Sequence, residues 1–232
     1  MTGRVASGIP GARAEPGGTS LTVWNGFSFC AAAWPKPNPK PNPNAAALAA
    51  RSGLGALSDR MPVTIFETSR LVARHLEEGD LEDMLAVYGD EDAMRWVGDG
   101  RALTRAGGVE WLGITRENYR KRGYGMSAIV WRASGEIIGF CGLVHPGGQL
   151  EPEIKYAFKR SHWGKGVATE AARAMLAYGA RSLGLHHVIA TTAPENLASH
   201  RVLLKAGMVR GELLLHKDGS STQRFEWHPQ EP

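Results

Sequence analysis

The chain has 232 residues, enough for one domain of ordinary size or two small ones. Its two cysteines exclude a disulfide framework, and no apolar run reaches the ~18 residues that span a membrane as a helix. The formal net charge is +4, and residues 1–60 alone hold six basic against two acidic side chains, so the remaining residues are neutral and give no electrostatic argument for nucleic-acid binding.

Residues 1–60 also hold seven of the 13 prolines, including the alternating run from Pro35 to Pro43. Alternate prolines remove backbone donors and favour extended polyproline, so this segment reads as a disordered, basic, Pro/Ala-rich tail without a core. Met61 stands at its end, and a mis-assigned start is the other reading. Leu21 to Trp34, with Arg4 and Arg13 upstream, is only a weak likeness to a signal peptide. Cys30 falls in the tail and Cys141 in an expected core strand, which fits a reducing compartment better.

From residue 65 the pattern alternates strands and helices, and residues 61–232 read as one domain. Arg70 to Leu76 alternates apolar and polar residues, as a half-buried strand does. Asp80 is placed to cap a helix over Leu81 to Tyr88, and Thr104 to cap a second carrying Trp111, Ile114 and Tyr119. Tyr124 to Arg132 and Glu136 to Val144 form a hairpin across Ser134-Gly135. Glu153 to Phe158 is the next strand. Val167 to Leu183 is a long amphipathic helix ending at Gly184, and Val188 to Thr192 a buried strand. A helix starts at Asn196 or Ala198 and runs to Lys205. Leu213 to His216 then pairs with Gln223 to Trp227 across Lys217-Asp218-Gly219. The fold class is α/β, a mixed sheet with helices on both faces.

Between the strand at 153–158 and the helix at 167 lies Arg160-Ser161-His162-Trp163-Gly164-Lys165-Gly166-Val167-Ala168-Thr169-Glu170-Ala171. Glycines here let the backbone approach a ligand and aim consecutive N–H groups one way. The helix adds its unsatisfied N-terminal N–H groups and the positive end of its dipole. Together these suit a phosphate or pyrophosphate. No Gly-Lys-Ser/Thr follows four residues after a glycine, so this is not a P-loop. The third glycine of a dinucleotide fingerprint is missing too, and no acid follows about 20 residues on.

The run does resemble the pyrophosphate loop of the GCN5-related N-acetyltransferases (GNAT superfamily), Q/R-x-x-G-x-G/A, with Trp163 in the Gln/Arg place, Gly166 at the glycine and Ala168 at the last small residue. The wider His-Trp-Gly-Lys-Gly-x-Ala-Thr-Glu-Ala wording is most similar to the branch containing the ribosomal-protein N-terminal acetyltransferases. The entry Ile65-Phe66-Glu67-Thr68-Ser69-Arg70-Leu71 resembles that branch as well. The resemblance covers residues 65–228. It implies the acyl-CoA N-acyltransferase fold, a central twisted mixed sheet, and acetyl-CoA as cosubstrate. It implies that Ala157, Phe158, Trp163, Gly164, Lys165, Gly166, Val167, Ala168 and Thr169 line the cofactor site.

Asn196-Leu197-Ala198-Ser199-His200-Arg201-Val202-Leu203-Leu204-Lys205-Ala206-Gly207-Met208 resembles the superfamily's other signature, N-x-x-A/S-x-x-L-Y-x-K-x-G-F. That implies Asn196 and Lys205 in the cofactor site. Leu203 stands where the proton-donating tyrosine is usual, so the likeness points instead to Ser199 near the sulfur. Asn196 and Ser199 also suit plain helix capping. Glu153, in Pro152-Glu153-Ile154-Lys155-Tyr156, resembles the glutamate of Glu-Ile-Gly-Tyr that faces the substrate amine, with Lys155 replacing the glycine. An ammonium must lose a proton before it attacks a thioester, and a carboxylate can take it. Glu151, His145, His162 and His216 are fallback bases. No His/Cys/Asp spacing suggests a metal site.

The expected function is acetyl transfer from acetyl-CoA to a primary amine, of a peptide N-terminus or a small molecule, by direct attack. The expected setting is the cytoplasm, with a monomer or homodimer, no nucleic-acid partner and no membrane. An antibiotic or polyamine acetyltransferase and a non-catalytic CoA-binding regulatory module are the alternatives within the fold. A nucleic-acid-binding protein with a basic tail is the alternative outside it.

Overall fold

The structure, a computed structural model, describes residues 62–97, 101–216 and 219–229. The tail expected over 1–60 and part of the turn at 217–219 lie outside the described residues. Eight strands form one sheet in the order β1-β2-β3-β4-β5-β6-β8-β7. They are β1 (Thr64–Glu67), β2 (Leu71–His75), β3 (Met126–Trp131), β4 (Ile137–Val144), β5 (Glu153–Phe158), β6 (Val188–Thr192), β7 (Val209–Leu215) and β8 (Ser221–Trp227). The helices are α1 (Leu81–Tyr88), the single turn α2 (Glu91–Met94), α3 (Arg105–Arg122), α4 (Val167–Leu183) and α5 (Leu197–Lys205). The expected mixed α/β order is borne out. A short β1 lies antiparallel beside β2 where one entry strand was expected, and β7 begins at Val209 rather than Leu213.

Side-chain alternation divides the sheet into two apolar faces. Leu71, Ile129, Ile154 and Phe225 point to one face, which α4 covers with Val167, Ala171, Ala172, Met175 and Leu176. Met126, Ala128 and Phe140 point to the other, covered by Met84, Val87 and Tyr88 of α1 and by Trp111 and Leu112 of α3. Helix termini follow local chemistry. Thr104 Oγ1 accepts from Gly107 N at 3.1 Å, and Gly123, in the left-handed region, closes α3. Asp80 corrects an expectation. It precedes α1 but does not cap it: its carboxylate accepts from Glu77 N, closing the capping box of the 3-10 turn over Glu78–Asp80, and forms a two-pronged pair with Arg74 at 2.7 and 2.8 Å. A buried carboxylate is held better by a guanidinium than by the first turn of a helix.

One junction in the sheet differs from the rest. β5 and β6 are its only parallel neighbours among the described residues, and they share a single register pair, Glu153↔Ile189. Beyond it β5 stays on β4, from Val144↔Glu153 to Gly139↔Phe158, while β6 stays on β8. The two strands are therefore joined at their starts and spread toward their C-terminal ends, where open α/β sheets take ligands.

Candidate active site

The opening between β5 and β6 is a cavity of about 90 Å³ lined by both strands, by Asn196, Ser199 and Leu203 of the α5 segment, and by Tyr88, Trp96 and Val97 from the α1–α2 side. The glycine loop follows directly from the open end of β5. A 3-10 turn over Arg160–His162 leads into Gly164 and Gly166, at φ 72° and 75°. A Cβ at Gly164 would meet nothing within 4 Å, and one at Gly166 only Arg70 at 3.7 Å, so the backbone conformation, not crowding by the protein, requires glycine there.

Gly166 is the residue before α4, and its carbonyl accepts the first helical bond from Glu170 N at 3.0 Å. The N–H groups of Val167, Ala168 and Thr169 therefore precede the intrahelical ladder and point out of the helix start. Gly164, Lys165 and Gly166 are exposed. Trp163, half exposed, donates its indole N–H to the Phe158 carbonyl at 2.8 Å and fixes the loop to the end of β5 beside Ala157. An exposed loop with left-handed glycines and a bare helix start fits an external pyrophosphate.

At the closed end, Glu153 is 2% exposed. Its Oε1 accepts from Thr191 N at 2.9 Å and from the Thr191 hydroxyl, and lies 2.5 Å from Lys155 Nζ. Its Oε2 has only the Gln149 amide, at 3.5 Å. Lys155 Nζ also reaches Thr191 Oγ1 at 3.2 Å and lines the cavity. Glu153, Lys155 and Thr191 share the face of the sheet that looks toward α1.

Asn196 caps α5, accepting from Ser199 N at 3.1 Å, and both residues line the cavity. The capping and cavity-lining places coincide. Leu203 is 2% exposed and packs in the core. Lys205 stands apart from this group: it is exposed in the last turn of α5, and its carbonyl accepts from Arg173 at 2.7 Å. The fallback bases are occupied elsewhere. His145 accepts from Tyr124 and faces the Gln149 carbonyl at 2.9 Å, and burial lowers its pKa. Glu151 pairs with Arg224 at 2.7 Å, and His216 meets Thr222 at 3.0 Å.

Sequence reasoning passed over Tyr156 and Thr191. Tyr156 lines the cavity, and its hydroxyl lies 3.5 Å from the Ser199 carbonyl. Burial pushes its phenol well above the ordinary tyrosine range, so it keeps its proton at neutral pH. Thr191 is visible as a partner of Glu153 only through the β5–β6 junction. Burial also raises the Cys141 thiol, which stays protonated in the core.

The sequence model of the acetyltransferase (GNAT) domain matches residues 70–209, which span the β2 strand, the glycine loop and α5. The chain belongs to the GNAT family. It is an acetyl-CoA-dependent N-acetyltransferase. Among similar proteins, the uncharacterized protein YkkB of Bacillus subtilis is 36% identical over 150 residues, covering 61% of this chain and 83% of that one. A GNAT-family acetyltransferase from Bacillus anthracis superposes with a TM-score of 0.60 at 25% identity, over 72% of this chain and 98% of its own. RimL, a ribosomal L7/L12 alpha-N-protein acetyltransferase solved with coenzyme A, shares the fold with a TM-score of 0.61 at 15% identity, over 71% and 97%. Among the described residues no helix is long and apolar enough to cross a membrane.

Proposed function

We propose that this GNAT enzyme transfers acetyl from acetyl-CoA to a primary amine by direct attack. The carrying observation is the divergence of β5 from β6 just after Glu153↔Ile189, with the glycine loop at the open end and Glu153 at the closed end. In this reading the pyrophosphate lies on the N–H groups of 164–169, and the pantetheine arm enters between the strands past Asn196. The acceptor comes from the side of Glu153 and Lys155. The amine nitrogen attacks the thioester carbon, and N–H groups of β5 hold the developing oxyanion. The C–S bond then breaks. The amine proton passes to Glu153 Oε2, directly or through water, since Oε1 is committed to Thr191 and Lys155. Tyr156 and Ser199 supply the proton or hydrogen bond that Leu203 cannot give to the departing sulfur. No covalent enzyme intermediate is invoked, in keeping with the buried, protonated Cys141.

Lys155 bears on the acceptor. Its ammonium neutralises the carboxylate that would otherwise attract a polycation. That disfavours polyamines and aminoglycosides and favours an amine on a neutral or acidic molecule, such as a peptide N-terminus. The shared fold with a ribosomal-protein acetyltransferase makes peptides the first acceptors to screen. We place the reaction in the cytoplasm, where acetyl-CoA is at hand.

Free-thiol release from acetyl-CoA, screened over peptide N-termini, polyamines and aminoglycosides, tests this assignment of the acceptor. Turnover with neutral or acidic peptides is the expected result. Thiol release with polyamines or aminoglycosides and not with peptides would overturn it.

A further inference from the structure

We propose a zinc-class metal site at the edge of the same sheet face, formed by His187 Nε2, His228 Nε2 and Glu226 Oε2. The register brings these residues together. Val188↔Trp227 and Ile189↔Glu226 place His187 opposite His228 and put both on the face that carries Glu226. Their three ligand atoms lie within 4.8 Å of one another. His187 Nε2 is 3.3 Å and His228 Nε2 4.0 Å from Glu226 Oε2. A tetrahedral zinc with ligands at about 2.0–2.2 Å holds them about 3.3 Å apart. One pair already has that spacing. His228, 65% exposed and stacked on His187 with ring centroids 4.6 Å apart, has the remaining distance to close when the ion binds.

Two further observations point to an ion. His187 Nε2 is shielded from solvent and makes no hydrogen bond, and its ion-pair neighbour Glu226 Oε2 lies 3.3 Å away. A buried nitrogen without a hydrogen bond is costly, and a metal shared with that carboxylate would satisfy it. The outer groups also leave the right atoms free. His228 Nδ1 faces the His186 carbonyl at 3.1 Å, which makes Nδ1 the protonated nitrogen and leaves the Nε2 lone pair. Glu226 Oε1 accepts from Arg224 Nε at 2.9 Å, leaving Oε2. His187 Nδ1 is 3.7 Å from Glu151, itself held by Arg224 at 2.7 Å. A histidine ligand whose other nitrogen is held by a carbonyl, as His228 is, is the usual surrounding of a bound metal. Two carboxylates against one guanidinium leave a net negative charge for a dication. Two imidazoles and a carboxylate suit Zn²⁺, Ni²⁺ or Cu²⁺ better than Mg²⁺ or Ca²⁺.

The proposal is independent of the acetyl-transfer reading, and its test needs no acceptor. The metal-free full chain, without a histidine tag, is titrated with ZnCl₂ by calorimetry. One saturable site is expected, with affinity lowered about tenfold or more in His187→Ala and in His228→Ala, as loss of a ligand requires. His216→Ala, an exposed histidine elsewhere, should bind zinc as the parent does. Zinc should raise the melting temperature of the parent and not of His228→Ala. Circular dichroism checks that each variant is folded, and the exposed position of His228 makes it the decisive one. Absence of a saturable site, or binding unchanged in folded His228→Ala, would overturn the proposal.

Discussion

Arg70 reaches across 95 residues of sequence to donate from Nη1 to the Lys165 carbonyl at 3.0 Å. The same guanidinium donates from Nε to Glu170 Oε2 at 2.7 Å, and Thr68 holds the other oxygen at 2.6 Å. The β1–β2 turn is thus tied both to the glycine loop and to the first turn of α4. The entry motif and the loop motif, far apart in sequence, form one physical unit.

Replacing Arg70 should therefore act on the cofactor. Arg70→Ala removes two charge-assisted bonds, worth about 1.5–3 kcal/mol each when dry. Arg70 is 39% exposed, so screening reduces the effect to about 1 kcal/mol, or about fivefold in KM for acetyl-CoA. Lysine should not restore it, because a point charge cannot serve Lys165 and Glu170 together. Steady-state kinetics with fixed acceptor reads this. An unchanged KM would show that the loop holds its shape alone.

Acid stability should change in the same variant. Burial raises the pKa of Glu170, but hydrogen bonds from Thr68 and Arg70 outweigh it and hold the folded value below the ordinary range. A depressed carboxylate contributes stability above its unfolded pKa, about 4.3, and loses it as pH falls through the folded value. Arg70→Ala removes much of that depression. Its stability deficit relative to the parent should be largest above about pH 5 and shrink below pH 4. Urea unfolding at several pH values measures the difference.

Some of this was legible before any coordinates. Gly164 and Gly166 were readable because left-handed backbone leaves little choice of residue, and Thr104 because a cap is a local device. Asp80 misled, since Arg74 outcompetes the helix start for its carboxylate. β1 has only four residues, too few for a clear alternation. Thr191, and Tyr156 in its cavity, depend on how β5 meets β6. The His187–Glu226–His228 group depends on β6–β8 register. Neither relationship is a spacing along the chain.

The loop glycine should be sensitive to any side chain. Gly166→Val places a branched residue at φ 75°, which costs about 1–3 kcal/mol, and sets its methyls where phosphate must approach. The loop is exposed, so the fold should persist while most CoA affinity is lost. Calorimetric titration with CoA, alongside circular dichroism, checks both halves. Full affinity would remove the loop from the site.

A chain starting at Met61 should turn over acetyl-CoA as the full chain does. Every residue given a role in cofactor binding or acetyl transfer lies between Thr68 and Leu203, and residues 1–60 have the composition of a segment without a core. Matching kcat and melting temperature are expected. Unfolding on truncation would place part of that segment in the domain.

Glu153 and Tyr156 should govern the chemical step more than cofactor binding. General acid–base help is typically worth about 10²–10⁴-fold, so Glu153→Gln should lower kcat at pH 7 by about that order. The deficit should shrink as pH rises through the acceptor's own pKa, because a neutral amine no longer needs a base. Glutamine can keep the bonds from Thr191 but leaves the Lys155 ammonium unpaired, so some stability loss is expected and must be measured separately. Tyr156→Phe removes a phenol that burial keeps protonated, and should lower kcat with little change in KM for acetyl-CoA. Ser199→Ala should cost less, because water can replace a hydroxyl beside the sulfur. If Tyr156→Phe is neutral and Ser199→Ala is not, the proton comes from Ser199. A pH–rate profile of all three variants against the parent, with one confirmed acceptor, separates these roles. A full rate for Glu153→Gln at pH 7 would remove it as the base and leave the proton to solvent.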